Sequence, residues 1–167
     1  MFKLFAFVVS LVLLVGCSSK KKNNLMALYE AKIEQGKMLQ KTEKIQLYEG
    51  ELTKVGLVAT YLYLPSAKQT EDEKFIVGVH SDEEPLKEIN GNGNHLTLNG
   101  KEMQTIELLQ PEDPRIKTAS LTNQWNRYYL VTFPRIQEPK MVLHYEHHLY
   151  GSGDLYFAKV AKYLVKE

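Results

Sequence analysis

The chain is 167 residues long and carries 21 Lys and Arg against 20 Asp and Glu, a formal net charge of +1. That balance excludes the strongly basic footprint of a nucleic-acid binder and the acidic composition of a disordered, solvating chain. The length fits one domain with its own core, and ten tyrosines with six phenylalanines favour the pleated, half-buried surfaces of a sheet.

Met1, Phe2 and Lys3 form a short basic start, and residues 4–16 are an uncharged run of thirteen. A membrane-spanning helix needs about 20 apolar residues, so the run predicts a signal peptide rather than a span. It ends Leu14, Val15, Gly16, Cys17, and Cys17 is the only cysteine. This ending resembles the lipobox of bacterial lipoproteins: a leucine three places before the cut, small residues, then cysteine. The resemblance covers residues 1–19. It implies that the leader, residues 1–16, is cut between Gly16 and Cys17, that the Cys17 thiol carries a diacylglycerol, and that the new N-terminus is often acylated as well. It also implies a cell-envelope protein held on membrane lipid through Cys17, with its domain in the periplasm. In enteric bacteria a serine such as Ser18 after the cysteine implies sorting to the outer membrane. Each buried methylene of an acyl chain contributes about 0.8 kcal/mol, so two or three chains hold firmly where one does not. Beyond the covalent lipid no cofactor is expected, and with no second cysteine the mature domain has no internal disulfide.

Residues 17–24 then read as the acylated cysteine and a polar tether: Ser18 to Asn24 has no apolar residue and three lysines, Lys20 to Lys22. Over residues 25–41 the apolar positions Leu25, Leu28, Tyr29 and Ile33 follow helical spacing, with Gly36 weakening the far end, and predict one amphipathic helix. The remainder, residues 42–167, changes to a period of two. Lys54 to Pro65 is apolar on both alternating sets, as a central strand is, and Lys74 to Ser81 is a second apolar run. Asn99-Gly100 predicts a two-residue hairpin turn, because both positions need positive φ, with Leu98 opposite Lys101. Ile106 and Leu108 then fall on the opposite parity from Leu96 and Leu98, and a bulge near Gln104 or Thr105 is expected to return them to the core. Residues 111–123 read as a long loop, followed by a strand from Arg127 stopped by Pro134. The last unit reads as a hairpin turning at Gly151, Ser152, Gly153 and Asp154, with a core face of Met141, Leu143, Tyr145 and Leu149 opposite Tyr156, Ala158 and Val160. Six or seven short strands without alternating helices predict a mainly β domain, an antiparallel sandwich of immunoglobulin-like form.

Chemistry is sparse along this chain. Its folded part has no thiol nucleophile, and there is no G-x-S-x-G, H-E-x-x-H or phosphate-cradling glycine loop, so no enzyme is expected. The cluster His144, Glu146 and His148 offers imidazole and carboxylate ligands of the kind that hold zinc or copper. On a strand these side chains share one face, but the backbones of the two histidines stand roughly 13 Å apart, so Glu146 and His148 would need His80 or His95 from a neighbouring strand. About the expected turn, Glu146 sits opposite Lys159 and His147 opposite Ala158 among apolar neighbours. Trp125, the only tryptophan, with Arg127 and Tyr128 in a polar loop, has the composition of a protein-interface anchor. Two functions are thereby expected in order: a membrane-anchored, non-enzymatic structural or interaction module that binds an envelope protein, with no nucleic acid involved; and a metal- or small-ligand-binding lipoprotein using the His144/Glu146/His148 face. Cys17→Ala should abolish acylation and leave an unprocessed, mislocalised precursor; a variant that is still processed and fractionates normally refutes the anchor.

Overall fold

Period-two alternation builds nine strands among the residues that the computed structural model describes, 26–28, 30–33, 36–37, 39–62, 72–81 and 88–159. The lipobox, Gly16 and Cys17 lie outside the described residues. Two compact units divide the chain, Met1–Gly36 and Lys37–Glu167. In the first, residues 26–28, 30–33 and 36 are helical, as the apolar spacing predicts, and Met26, Leu28 and Ile33 face solvent.

The second unit is mainly β. Its strands are β1 (Thr42–Glu49), β2 (Leu52–Tyr61), β3 (Glu73–Ser81), β4 (His95–Leu98), β5 (Lys101–Glu102), β6 (Thr105–Leu109), β7 (Arg127–Phe133), β8 (Lys140–His147) and β9 (Gly151–Ala158). They form two antiparallel sheets, ordered β1-β2-β3-β7-β6 and β5-β4-β8-β9, an arrangement consistent with a β-sandwich. One core joins them: Leu57, Phe75 and Val77 from the larger sheet meet Leu98, Leu143 and Tyr145 from the smaller. Each such fully buried side chain contributes about 1.5–3 kcal/mol, and without a disulfide this burial carries the fold. Along one seam β1 lies against β9, where a Cβ on Gly153 would stand 3.0 Å from Ile45 Cδ1. Glycine is needed there for close approach.

The Asn99-Gly100 turn forms as predicted, with φ of 49° and 74° and Leu98 opposite Lys101. Asn99 also receives the backbone N–H of Val142 at its Oδ1 (2.7 Å), which extends the β4-β8 ladder past Leu98. The expected bulge near Gln104 does not form. Instead the chain changes sheets between β5 and β6, with Met103 packed against the core and the Gln104 N–H bonded to Thr132 O at 2.8 Å. Ile106 and Leu108 therefore stay half-exposed on the edge strand β6. The last hairpin also differs. His148, Leu149 and Tyr150 make the turn and Gly151 to Asp154 belong to β9, so His147 pairs with Gly151 and Glu146 with Ser152, not with Ala158 and Lys159. The core face of β8 is as expected, Met141, Leu143 and Tyr145 with His147 among them, but its partners are Leu155 and Phe157, while Leu149 and Tyr156 are exposed.

A buried carboxylate fastens one end of the unit. Glu73 accepts from the Tyr61 hydroxyl (2.5 Å) and the Ile136 N–H (3.1 Å), and pairs with Lys159 (2.6 Å), which also donates to the Ile136 carbonyl. It thus ties β2, β3 and the segments following β7 and β9 together. Removing one partner of a buried pair leaves an uncompensated charge, so Lys159→Met should lower stability by about 3–5 kcal/mol in denaturant unfolding. The double variant Glu73→Gln, Lys159→Met should recover most of that loss.

Candidate functional site

Residues 110–126 cross the outer face of the larger sheet and create a second, smaller core there. Asp113 caps the short 3-10 helix Pro114–Thr118 by accepting from the Arg115 N–H (2.9 Å), and the helix sets Ile116 against Ile76, Leu109 and Tyr128. The Arg115 guanidinium forks onto Glu107 of β6 (2.6 and 2.9 Å) and onto Asp113 (2.6 Å), clamping the crossing segment to the sheet. Hydrogen bonds from Arg115 hold both carboxyls below their ordinary values. The contribution of a carboxylate whose folded value is depressed is present above its ordinary range and is lost as pH falls through the lowered value. The clamp is therefore complete at neutral pH.

Tyr128 fixes the loop that carries Trp125. Its ring lies over Gly78 of β3, where a Cβ would meet Tyr128 Cε1 at 2.6 Å and Asn126 Nδ2 at 2.9 Å. The Tyr128 hydroxyl accepts from the Asn123 N–H (2.7 Å) and donates to the Asn123 carbonyl (3.0 Å). Asn123 in turn folds an Asx turn, its Oδ1 accepting from the N–H groups of Trp125 (2.8 Å) and Asn126 (2.9 Å). His80 Nδ1 reaches the Trp125 carbonyl at 3.3 Å. Burial pushes the Tyr128 hydroxyl above its usual value, which keeps it a neutral donor and acceptor.

The result is an indole held out by its backbone. Trp125 is 66 % exposed and stands between two hollows that both include Asn123, Trp125 and Asn126. The larger, about 610 Å³, is lined on its far side by Leu108, Gln110, Ile116, Gln124 and Arg127; the smaller, about 330 Å³, by Lys44, Gln46, Gly56, His80 and Leu121. Leu121 has φ +59°, a left-handed conformation that costs a branched residue about 1–2 kcal/mol, so local strain is stored beside the indole.

The expected interface residues Trp125, Arg127 and Tyr128 thus converge on one groove. Within it Tyr128 is buried as the loop's fastening, and Arg127 is half-buried beside it. The expected metal cluster does not converge. His144 faces Asp154 across the strand pair (Nδ1 to Oδ1 2.6 Å), Glu146 points to solvent, and His148, in the turn, has Nδ1 3.3 Å from Asn94 Oδ1. Its Cβ also stands only 2.7 Å from where Gly93 would carry one. His95 does lie opposite Glu146 in register, but its Nε2 is bonded to Glu102 at 2.9 Å. Among the described residues no three His, Cys, Asp or Glu side chains are placed to hold a metal ion. The strand register that pairs His144 with Asp154 is the physical reason.

Missed from the sequence were Gly78, the place of His80 beside Trp125 rather than beside Glu146 and His148, and the role of Asn123; an asparagine two residues before an aromatic in a polar loop is the Asx-turn signal that points to the last. Gly78→Ala should displace Tyr128, cost about 1–3 kcal/mol, and expose Trp125 emission to faster quenching by acrylamide. Gly56→Ala, where a Cβ meets nothing within 4 Å, should leave both melting and quenching near the parent values. Comparison of the chain with protein-family models, curated proteins and solved structures finds no match.

Proposed function

We propose that this chain is a membrane-anchored lipoprotein of the bacterial envelope, tethered through Cys17, whose β domain on the periplasmic side acts without catalysis by recognising another envelope component at the Trp125 groove. One observation carries the recognition part: the only tryptophan is exposed between two hollows on a loop fixed by a hydrogen-bonded turn. Exposing a large indole forfeits about 1.5–3 kcal/mol of burial, and the strained Leu121 beside it adds to the sacrifice. Stability given up in one place, on a rigid support, is the mark of a surface kept for binding. The anchor part rests on the lipobox resemblance at Leu14 to Cys17, and outer-membrane sorting on Ser18.

For the architecture, the immunoglobulin-like form is the finer proposal. Two facing antiparallel sheets support it, and the β1-β2-β3 meander within one sheet departs from the A-B-E-D order of such domains. The recognition reading needs only the two-sheet scaffold.

A photoreactive benzoylphenylalanine at position 122, exposed in the lining of the larger hollow beside the intact indole, in the full chain in living cells, should give a light-dependent adduct with an envelope component. The same residue at position 156, exposed on the opposite sheet, should give none. Adducts at both positions or at neither sink the reading.

A further inference from the structure

We propose that the occupant of the Trp125 groove is a glycan chain, several pyranose rings long, lying across the indole with sugar units in both hollows. This rests on the recognition reading above and names its ligand class.

The lining chemistry points there. Among the described residues no aspartate or glutamate lines either hollow, and the charged side chains are Lys44 in one and Arg127 in the other. Arg127 is half-buried. Five of the remaining polar side chains are amides, Gln46, Gln110, Asn123, Gln124 and Asn126; Gln46 Oε1 also accepts from the Tyr48 hydroxyl (3.0 Å) and Asn123 Oδ1 holds the Asx turn, which leaves Gln110 and Gln124 as the amides that face a ligand first. A primary amide carries two donors and an acceptor on one flat head, and a sugar hydroxyl is likewise both donor and acceptor, so vicinal diols match amides without any charge to desolvate. Gln110, Thr122 and Gln124 are exposed. The indole supplies the complementary contact. Its negative face attracts the slightly positive C–H groups that cover one side of a pyranose ring, and its flat area excludes water without asking for a deep pocket. The two open hollows, about 610 and 330 Å³ on either side of one aromatic ridge, fit a chain passing over the ridge better than a single small molecule.

Other occupants fit less well. A phosphorylated ligand calls for an arginine cluster or a nest of backbone N–H groups, and here the two cations stand in separate hollows. Hydrolysis of a bound glycan calls for a carboxylate pair, and the described lining of neither hollow supplies one, so the groove is built to hold rather than to cut.

Because Trp125 is the only tryptophan, its emission reports on this groove alone. The test uses the full acylated chain in a detergent without a sugar headgroup, titrated with chitohexaose, cellohexaose and maltohexaose, alongside sedimentation with purified peptidoglycan sacculi. At least one probe should shift the emission saturably, with a dissociation constant of about 0.1–1 mM. Gln124→Ala should weaken that binding about five- to tenfold, consistent with a lost hydrogen bond. Trp125→Ala, followed by saturation-transfer NMR on the oligosaccharide, should weaken it by more than about tenfold. No saturable change with any oligosaccharide up to about 10 mM and no sedimentation with sacculi overturns the proposal, and so does binding that Trp125→Ala leaves intact. If saccharide binding is absent while the position-122 photoadduct proves to be a protein, the glycan assignment falls and the recognition reading stands. If the adduct is absent too, both fall.

Discussion

The contact of the Tyr128 ring with the bare backbone of Gly78 is the constraint on which the outer face of the larger sheet depends. Any side chain at position 78 would lift the ring; with the ring lifted, the hydroxyl could not hold both backbone groups of Asn123, and the Asx turn that presents Trp125 would lose its footing. The same ring closes the second core, with Ile76, Leu109 and Ile116. One glycine therefore links a packing problem, how residues 110–126 lie flat on a sheet, to a display problem, how an indole is kept out of the core it would otherwise join. The arginine clamp at Glu107 and Asp113 fixes the other end of the crossing segment. The groove stands between these two fastenings.

Rigidity of this kind needs a stiff sheet beneath it. The chain has no disulfide to contribute, so the inter-sheet core and the buried Glu73 supply it. Glu73 matters because it sits where β3 begins and gathers groups from three other places in the chain, including the segment after the final strand. A buried ion pair adds little net stability over a well-packed apolar replacement, but it specifies register, since only one alignment of β3 brings the carboxylate to Tyr61, Ile136 and Lys159 together. Fixing β3, the middle strand of its sheet, fixes the platform for Gly78 and His80.

How much of this is legible in the sequence depends on whether the deciding force is local. Asn99-Gly100 is readable because positive φ at two successive residues is a property of those residues. Pro134 ends β7 for an equally local reason. The final hairpin misleads because glycine has two uses. Gly151 and Gly153 look like a turn, yet Gly153 is small because Ile45 of a distant strand packs against it, and the turn falls instead at His148 to Tyr150. That shift changes the partner of each residue on β8, and it is why Glu146 meets Ser152 and His144 meets Asp154. The sheet change at Met103 and Gln104 looks like a bulge because parity alone cannot say which sheet a strand joins. Strand β1 is hidden although Ile45 and Leu47 alternate before Gly50; its polar neighbours mask a strand whose burial comes from β2 and β9. For the site, Trp125, Arg127 and Tyr128 are visible by residue type, whereas Gly78, His80 and Leu121 come from other parts of the chain and join the groove only through the fold.

The proposed anchor and the proposed ligand explain each other energetically. An open groove with one aromatic ridge and a few amides binds weakly, since each hydrogen bond to a hydroxyl replaces one to water and contributes only about 1 kcal/mol net. A free protein with such a site would be unbound at most glycan concentrations. With the proposed acyl chains at Cys17 in the membrane, the same site stays in the neighbourhood of the membrane surface. Linking a weak site to the surface that carries its ligand raises the effective concentration into the millimolar range, comparable with the weakness of the site. A fixed polymer in the envelope is then bound reversibly without the protein diffusing away. On this reading the polar tether and the shallow groove are matched, and a deeper, tighter pocket would confer little more occupancy.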